Sequence, residues 1–298
     1  MKAKQTAIVL VLLLALGAPQ GRAAGRRRAL RPTPQGMALV EHVIVIVLEN
    51  EDGSKADLQP FLGDLAHRGA QLTNYHALAH PSQPNYIAMV AGSAYGVTND
   101  DPVTMDVPHL GDLVEAKGMS WKVYAELYPG NCFTGRTAGN PRDGYYVQRH
   151  VPFLSFKNIY DDPARCNRSI VEASQFDRDL AADALPAVSF YIPNTIHDGH
   201  DGTVADADTF MLHKFGPLLD DPKLRAHTLF IVTFDEGRTV GPNVVYCVFY
   251  GAGIIPGVIN ADFYDHYSLL RTIEEIFNLG TLQHHDATAD LIQNIWTK

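Results

Sequence analysis

The 298-residue sequence is poor in cysteine, with three, and it lacks internal repeats and long low-complexity segments. Three cysteines allow one disulfide and one spare thiol, as in a protein of an oxidising compartment. The absence of repeats and biased segments argues against division into several units. Because 46% of the residues are apolar, a chain of this length can bury one sizeable core. We therefore expect one folded domain.

The sequence also lacks an apolar run of the ~20 residues that a bilayer-spanning helix needs. The unbroken run from Ala7 to Leu16 is much shorter, follows Lys2 and Lys4, and precedes a stretch of small residues. This order predicts a cleaved signal peptide over residues 1–24, with an uncleaved membrane anchor as the alternative. The mature protein is therefore expected to be secreted into the extracellular space and to have no stable membrane span.

Positive charge is scarce in the expected mature chain. Removal of residues 1–24 takes away three basic residues and no acidic one, which leaves 21 basic against 33 acidic residues and a net charge of about −12. This balance disfavours nucleic acid and anionic membranes as partners, so an anionic substrate needs a local device such as a metal ion. Residues 25–37 are basic and contain proline, and we expect a flexible leader there, followed by a single domain over 38–298.

Near-continuous apolar runs alternate with helical patterns along the chain. The runs, typical of strands buried on both faces of a parallel sheet, are Val43–Leu48, Trp121–Ala125, Val188–Ile192, Leu229–Phe234 and Val244–Phe249. The helical patterns cover Leu58–Arg68, Leu110–Ala116, Ile170–Ala182, Thr209–Leu219 and Ser268–Asn278. This alternation predicts an α/β fold with a mainly parallel central sheet flanked by helices. Ligands of such sheets bind beyond the carboxyl ends of the strands.

Polar residues follow three of these predicted strands. Glu49 and Asn50 follow the first strand, a cluster at residues 194–201 follows the third, and Asp235 and Glu236 follow the fourth. Each residue alone could be a helix cap or a solvated loop residue. Three strand ends of the same character instead indicate a site where carboxylates and imidazoles gather at one edge of the sheet.

A serine precedes a predicted helix in the segment His80–Gly92. Ser82 is followed by Pro84 in the first helical turn, and a helix N-terminus favours a bound phosphate or a serine alkoxide. Ser82 is therefore a candidate nucleophile, with a plain N-cap as the alternative. No lipase-type triad lies near it in the sequence, so a metal ion would have to activate it. His80 either lines the pocket or is structural.

Two sets of candidate metal ligands follow from the predicted edge of the sheet. The first is rich in oxygen and suits Mg²⁺, Ca²⁺ or Mn²⁺, and it comprises Glu49, Asn50, Asp235 and Glu236. The second contains imidazoles and suits Zn²⁺ or iron if it holds metal at all, and it comprises Asp198, His200 and His266. The adjacent carboxylates Asp235 and Glu236 repel each other unless a cation, a proton or solvent compensates them.

The three cysteines differ in their surroundings. Cys132 and Cys166 lie in loop-like sequence on either side of a compact segment, and we predict that they form the disulfide. The bridge would close a loop of about 35 residues over one wall of the site, with a nominal stabilisation of roughly 3–4 kcal/mol. Cys247 lies inside an apolar run and is expected to be a buried free thiol.

Six short motifs occur in a fixed order between His42 and Leu279. They are HVIVIVLEN ending at Asn50, HPSQPNY at His80–Tyr86, RHVPF at Arg149–Phe153, PNTIHDGHDG at Pro193–Gly202, VTFDEG at Val232–Gly237 and DHYSLLRTIE at Asp265–Glu274. This set resembles the bacterial phosphoesterase family of secreted acid phosphatases and phospholipases C, a branch of the alkaline-phosphatase superfamily. The closest look-alikes are small secreted acid phosphatases of actinobacterial type, some of which act on phosphoinositides. The resemblance implies an alkaline-phosphatase-like fold.

The resemblance also implies roles for individual residues. The catalytic residues of the family correspond to Ser82, as nucleophile, and to His150 and His200 near the phosphoryl group. A phosphate-binding amide corresponds to Asn85, and the positions that bind a second metal in two-metal relatives, here expected to contact substrate, correspond to Asp198 and His266. The metal ligands correspond to the oxygen-rich set, Glu49, Asn50, Asp235 and Glu236.

These features predict a secreted, metal-dependent acid phosphatase that hydrolyses phosphomonoesters, phosphoinositides included, through a phosphoserine intermediate. The expected cofactor is one divalent ion or two, from among Mg²⁺, Ca²⁺, Mn²⁺ and Zn²⁺. The expected partner is a small phosphorylated substrate or a phospholipid headgroup. One alternative is a phospholipase C-like phosphodiesterase with the same nucleophile, and another is a secreted phosphate- or metal-binding protein without catalysis.

Overall fold

Twelve strands lie in residues 33–298, the part of the chain that the computed structural model describes. The predicted signal peptide and residues 25–32 of the predicted leader lie outside these residues. In chain order the strands are β1 (His42–Leu48), β2 (Ala70–Leu72), β3 (Tyr75–His76), β4 (Trp121–Ala125), β5 (Thr137–Asn140), β6 (Gly144–Val147), β7 (Ile170–Glu172), β8 (Val188–Ile192), β9 (Thr228–Phe234), β10 (Cys247–Gly251), β11 (Val258–Asn260) and β12 (Tyr264–Asp265).

Eight of these strands form the central sheet, in the order β11-β2-β10-β9-β1-β8-β4-β7. Strand β1 runs parallel to β9 on one side and to β8 on the other, so that Val45 lies opposite both Ile231 and Phe190. Strand β4 is parallel to β8 and β7, whereas β10 is antiparallel to β9 and β2. Every residue of β9 is buried, as expected for a strand covered on both faces. The prediction of a mainly parallel sheet is confirmed.

Ten α-helices within the same residues flank the sheet. They are α1 (Gly53–Ala56), α2 (Pro60–Arg68), α3 (Ser82–Ala91), α4 (Leu110–Ala116), α5 (Lys157–Tyr160), α6 (Pro163–Ser169), α7 (Ser174–Ala181), α8 (Val204–Asp220), α9 (Pro222–His227) and α10 (His266–Ile276). Helix α3 packs against α4 and α10, while α2 packs against α8. None of the helices in this part of the chain is both long and apolar enough to cross a bilayer.

Local signals set the ends of the helices next to the site. Thr203 and Asp206 form a reciprocal capping box at the start of α8. The Asp265 side chain caps α10 by accepting a hydrogen bond from the backbone of Ser268. Helix α3 ends at Gly92, which has a φ of 68° and lies so close to a neighbouring carboxylate that a Cβ atom would clash with it.

The chain departs from the predicted elements at two places. Ile170–Glu172, predicted as the start of a helix, forms the edge strand β7, because the β-branched pair Ile170 and Val171 aligns with β4. The last predicted strand begins at Cys247 rather than Val244, and it is antiparallel to β9. No helix separates β9 from β10, so the chain returns directly beside the strand it has just left.

The disulfide joins Cys132 to Cys166, with Cα atoms 5.6 Å apart, which confirms the predicted pairing. Cys247 is buried in β10 with a free thiol, also as predicted. Burial raises the pKa of the Cys247 thiol well above its ordinary value, so the reactive thiolate is disfavoured there.

The folded domain begins slightly before the predicted boundary at residue 37. Gln35–Leu39 form a 3-10 helix, and the side chain of Met37 is buried. The Gly36 N–H donates a hydrogen bond to the Thr297 carbonyl at 3.0 Å. These contacts tie the first described residues to the other end of the domain.

Candidate active site

The carboxyl ends of three neighbouring strands, β9, β1 and β8, carry the candidate site. Glu49 follows β1, Asp235 follows β9, and the loop that contains Asp198 follows β8. Backbone hydrogen bonds join these ends: Glu49 N–H donates to the Asp198 carbonyl at 2.9 Å, and Asp235 N–H donates to the Leu48 carbonyl at 3.0 Å. The sheet order therefore brings together the three polar strand ends that the sequence indicated.

Ser82 is the first residue of α3 and is 2% exposed. Its Oγ lies 3.2 Å from Glu49 Oε2 and 3.0 Å from Glu236 Oε1. Pro81 occupies the N-cap position and no side chain caps α3, so Ser82 is not acting as a cap. His80 lines the same place, because its Nδ1 contacts Glu236 Oε2. The serine hydroxyl is thus directed at carboxylates rather than at the helix backbone.

Four buried carboxylates gather beside this hydroxyl, and they are Glu49, Asp198, Asp235 and Glu236. Burial, with repulsion from Asp198, raises the pKa of Glu49 well above its ordinary value. Burial likewise raises the pKa of Asp198 and Glu236, and burial with repulsion from Glu49 raises that of Asp235. Within residues 33–298, one oxygen of Asp198 and one of Asp235 have no hydrogen-bond partner. Such a cluster requires protons or a cation to offset its charge.

Asn50 stands among these carboxylates with a φ of 51°, a conformation that asparagine tolerates. Its N–H donates to Asp235 Oδ1 at 3.2 Å. Its amide oxygen faces only acceptors, whereas the amide turned over would donate to Glu49 Oε2 at 3.3 Å and Glu236 Oε1 at 3.1 Å. The first orientation suits a site that holds a cation, and the second suits a site without one.

His150 lies inside the carboxylate cluster and is 1% exposed. Its Nε2 is 3.3 Å from Glu49 Oε1, and its Nδ1 is 3.6 Å from Asp198 Oδ2. The ring stacks on Tyr86, with centroids 5.2 Å apart, and the Tyr86 hydroxyl donates to Glu49 Oε1 at 2.5 Å. Burial, with the nearby charge of Arg149, lowers the pKa of His150 well below its ordinary value, which favours a neutral imidazole.

His200, and not His197, turns towards this cluster. The backbone N–H of His200 donates to Asp198 Oδ1 at 2.8 Å, and the centroid of the His200 ring is 6.0 Å from that of the His150 ring. His197 instead places its Nδ1 2.7 Å from Glu126 Oε2. The carboxylate of Glu126 accounts for the raised pKa of His197. Two histidines separated by three positions therefore have different surroundings.

Asn85 is buried and its amide is fully engaged by the backbone. Its Oδ1 accepts hydrogen bonds from Leu78 N–H at 2.8 Å and Ala79 N–H at 3.0 Å, and its Nδ2 donates to the Ala79 carbonyl at 2.9 Å. In this structure Asn85 holds the loop that leads into Ser82, and it presents no free polar atom to a ligand.

His266 is buried at the start of α10, and both of its ring nitrogens have partners. Its Nδ1 lies 2.9 Å from the Tyr75 hydroxyl, and its Nε2 lies 2.7 Å from the Asp235 carbonyl oxygen. His266 therefore holds the backbone of a candidate metal ligand in place, and neither of its own ring nitrogens is free to bind a ligand.

The pair Arg149 and Asp100 was not among the predicted site residues. Arg149 Nε lies 3.2 Å from Asp100 Oδ2, and Asp100 Oδ1 accepts a hydrogen bond from Gln83 N–H at 3.1 Å. Gln83 directly follows Ser82, and Arg149 directly precedes His150. The second adjacency, inside the RHVPF motif, was the signal that could have identified this arginine.

The chain matches the phosphoesterase family model over residues 53–280. It is 36% identical to the "Probable acid phosphatase" of Kluyveromyces lactis, over 86% of this chain and 62% of that protein, so it spans less than two thirds of that relative. It is 33% identical to the phosphate-repressible acid phosphatase of Penicillium chrysogenum, over 92% of this chain and 69% of that protein. It is 34% identical to the phosphatidylinositol-3-phosphatase of Mycobacterium tuberculosis, over 86% of this chain and 82% of that protein.

Solved structures resemble the chain in fold. A Vibrio parahaemolyticus protein in the alkaline phosphatase superfamily has a TM-score of 0.59 at 13% identity, over 87% of this chain and 72% of that one. The phosphonate monoester hydrolase of Silicibacter pomeroyi has a TM-score of 0.53 at 12% identity, over 80% and 73%. These likenesses confirm the expected alkaline-phosphatase-like architecture. With the match of the family model over most of its length, the chain belongs to the phosphoesterase family.

Proposed function

We propose that the protein is a secreted, metal-dependent acid phosphatase with Ser82 as its nucleophile. The observation that carries this proposal is the buried Ser82 Oγ, which lies between an oxygen of Glu49 and an oxygen of Glu236 at the edge of the sheet. Acceptors at hydrogen-bond distance can take the hydroxyl proton, and a serine that only capped α3 would not face them. Relatives named as acid phosphatases support the reaction class.

A divalent cation suits the donors of this site. The Asn50 amide can turn its oxygen towards an ion, and Asp235 Oδ2 is buried without a partner in the described part of the chain. Between residues 33 and 298, no group of three His, Cys, Asp or Glu side chains has the geometry of a preformed metal site. The oxygens of the cluster would therefore have to move closer together to bind an ion. Hard oxygen ligands favour Mg²⁺, Ca²⁺ or Mn²⁺, and Asp198 with His200 offers a second position that suits Zn²⁺. A bound cation would lower the pKa of Ser82 and offset negative charge.

The reaction proceeds in two displacements at phosphorus. Ser82 Oγ attacks a phosphomonoester while its proton passes to Glu236 Oε1 or Glu49 Oε2, both within 3.2 Å. The bond from phosphorus to the leaving alcohol breaks, and Ser82 carries the phosphoryl group. Water then cleaves that new bond, releases inorganic phosphate and restores the Ser82 hydroxyl. Tyr86 and His150 keep the Glu49 carboxylate in place throughout.

The leaving oxygen needs a proton, and His200 is the better placed of the two candidate histidines. His150 is buried, and its two ring nitrogens face Glu49 and Asp198. His200 is 29% exposed, and its Nδ1 lies 2.8 Å from Asp201 Oδ1, which orients the ring and leaves Nε2 for an incoming group. We therefore assign the proton donor to His200 and the positioning of Glu49 to His150.

The proposed substrates and the proposed export of the protein have separate support. Phosphoinositides are included among the substrates, and the Mycobacterium tuberculosis relative named phosphatidylinositol-3-phosphatase supports this. Export is supported by the disulfide, since such bonds persist in oxidising compartments. The pattern of residues 1–24, which lie outside the described residues, supports it as well.

Replacement of the nucleophile tests the proposal. Ser82→Ala should lower kcat for p-nitrophenyl phosphate by about 10³-fold or more, since no other group can carry the phosphoryl intermediate. Acid-quenched wild-type protein should contain a phosphorylated Ser82 peptide in mass spectrometry. Ser189→Ala is the matched control, because it removes a buried hydroxyl that has no partner in the described residues and lies outside the cluster.

The outcomes separate the alternatives. Activity of Ser82→Ala above a few per cent of wild type would remove Ser82 as the nucleophile. A preference of the wild-type protein for diester over monoester substrates would favour the phospholipase C-like reaction. Phosphate binding without turnover would favour the non-catalytic binding protein.

A further inference from the structure

We propose that Arg149, held in place by Asp100, selects phosphomonoesters over phosphodiesters. Its guanidinium binds a non-bridging phosphoryl oxygen of the monoester, and a diester has its second ester oxygen at that position. The inference rests on the proposed function, in which Ser82 Oγ attacks the phosphorus. It names a substrate contact that none of the residues assigned above provides.

Two contacts fix the position of Arg149 relative to the nucleophile. Its Nε lies 3.2 Å from Asp100 Oδ2, and Asp100 Oδ1 accepts a hydrogen bond at 3.1 Å from the backbone of Gln83, the residue after Ser82. On its other side Arg149 is followed by His150, which reaches into the carboxylate cluster. Asp100 therefore links the guanidinium to the first turn of α3, the turn that begins with the nucleophile.

The guanidinium of Arg149 has donors to spare. The side chain is only 22% exposed, yet its buried Nε has no hydrogen-bond partner, so the contact with Asp100 is an ion pair without good hydrogen-bond geometry. Its terminal nitrogens make no hydrogen bond to another of the described residues and are not among the buried unpaired atoms, so they remain accessible to a ligand. A buried donor such as Nε normally has a partner, so the arrangement indicates an acceptor supplied by a ligand.

Arg149 has one carboxylate partner. Asp100 is the only carboxylate among residues 33–298 that lies within ion-pair distance of its guanidinium. A planar guanidinium can bind two oxygens of a phosphoryl group at once.

Monoesters and diesters differ at the atom that this contact needs. A monoester dianion has three non-bridging oxygens and two negative charges, while a diester has two such oxygens and one charge. With a diester, an ester oxygen and its substituent replace one acceptor, so a donor of Arg149, whose side chain is only 22% exposed, loses its partner. A site that is built to pair such donors rejects the analogue that lacks the acceptor.

The experiment compares two chromogenic substrates, p-nitrophenyl phosphate and methyl p-nitrophenyl phosphate. Arg149→Met should lower kcat/KM for the monoester by about 10²-fold to 10³-fold and that for the diester by less than about threefold. Arg149→Lys should recover part of the monoester loss, because it restores charge but not the planar fork. Arg142→Met is the matched control, since Arg142 lies in the same disulfide-closed segment with a side chain that is 91% exposed.

The Asp100→Asn variant tests whether the ion pair positions Arg149 for binding the substrate. Loss of the ion pair should raise KM for the monoester several-fold with a much smaller change in kcat, because Arg149 keeps its charge but not its fixed place. A merely structural role of the pair would instead lower the thermal midpoint and leave the ratio of monoester to diester kcat/KM unchanged.

Binding of inorganic phosphate, measured by calorimetry, gives a readout that does not depend on turnover. Arg149→Met should weaken phosphate binding about tenfold or more relative to wild type. If the wild-type protein hydrolyses neither substrate, the proposed function fails while this comparison still tests Arg149. Equal losses for the two substrates, or an unchanged phosphate Kd, would overturn the inference. If Arg149→Met does not fold, the same readings on Arg149→Lys and Asp100→Asn decide.

Discussion

Two buried aspartates, Asp208 and Asp235, differ in what compensates their charge. Asp208 Oδ1 accepts hydrogen bonds from Phe61 N–H at 3.0 Å and Leu62 N–H at 2.7 Å, at the start of α2. Asp235 accepts one hydrogen bond on Oδ1, from Asn50 N–H, while its Oδ2 has no partner in the described residues. Other carboxylates lie beside Asp235 and raise its pKa further.

The difference distinguishes a structural carboxylate from a functional one. A carboxylate that accepts backbone N–H groups at a helix start is stabilised by them and stabilises the helix in return. A buried carboxylate beside other carboxylates, with an unpaired oxygen, destabilises the fold until a proton or a cation arrives. We therefore interpret the Asp208 type as structural and the Asp235 type as functional.

Alanine should have opposite effects at the two positions. Asp235→Ala should lower kcat/KM for p-nitrophenyl phosphate by about 10³-fold or more, because a ligand of the proposed cation is lost. Its free energy of unfolding, measured by urea denaturation in a chelator, should change by less than about 1 kcal/mol, because the lost charge was repelled. Asp208→Ala should lower that free energy by about 1–2 kcal/mol and leave kcat/KM nearly unchanged.

The reverse pattern would contradict the interpretation. An active Asp235→Ala variant, or an Asp208→Ala variant that lost activity without losing stability, would show that hydrogen-bond satisfaction does not distinguish the two roles.

The same comparison recurs within the loop after β8. The backbone N–H of His200 donates to Asp198, which has an unpaired oxygen, and the His200 ring lies beside that of His150. The His197 ring instead bonds to Glu126, which also accepts hydrogen bonds from Asn194. His200→Ala should lower kcat/KM for an alkyl phosphate by about 10²-fold and that for p-nitrophenyl phosphate far less, because only the alkoxide needs a proton. His197→Ala should have little effect on either. Equal losses on both substrates would remove His200 from the acid role.

Glu274 is another buried carboxylate, and it lies outside the site. Neither of its oxygens has a hydrogen-bond partner in the described residues, although Arg271 Nη1 lies 3.9 Å from Glu274 Oε2. Burial with the neighbouring Asp286 carboxylate raises its pKa to about 9. Here we expect a proton rather than a cation to provide the compensation. A raised folded-state pKa means that the contribution of Glu274 to stability is complete below its unfolded pKa near 4.5 and is lost as the pH rises towards 9.

Glu274→Gln should therefore be more stable than wild type at pH 8 by about 1–3 kcal/mol and similar to it at pH 4. Urea denaturation at the two pH values measures the difference. Stability curves that stay parallel from pH 4 to pH 8 would show that Glu274 does not carry the extra proton.

Much of the architecture could be predicted from local sequence. The runs that became β1, β8 and β9 are apolar throughout because both faces of these strands are covered, and the polar residues after them mark the edge where ligands bind. The strand at Ile170–Glu172 escaped prediction because a three-residue edge strand depends on its pairing with β4 rather than on its own periodicity.

The site could be predicted only in part, because the roles of its residues depend on distant partners. Ser82, Glu49 and Glu236 were indicated by motif and position, and the structure brings them together. No local pattern indicated that the ring nitrogens of His266 would contact the Tyr75 hydroxyl and the Asp235 carbonyl. Those contacts form only when segments far apart in the chain pack together.

The metal content of the purified protein shows whether the buried carboxylates hold a cation. Wild type and Asp208→Ala, dialysed against a divalent cation and then against metal-free buffer, should each retain about one ion or more per chain by mass spectrometry, because their oxygen-rich cluster is intact. Asp235→Ala should retain less than about a tenth of that. Equal metal content in Asp235→Ala and wild type, or an active wild-type protein free of metal, would contradict the account.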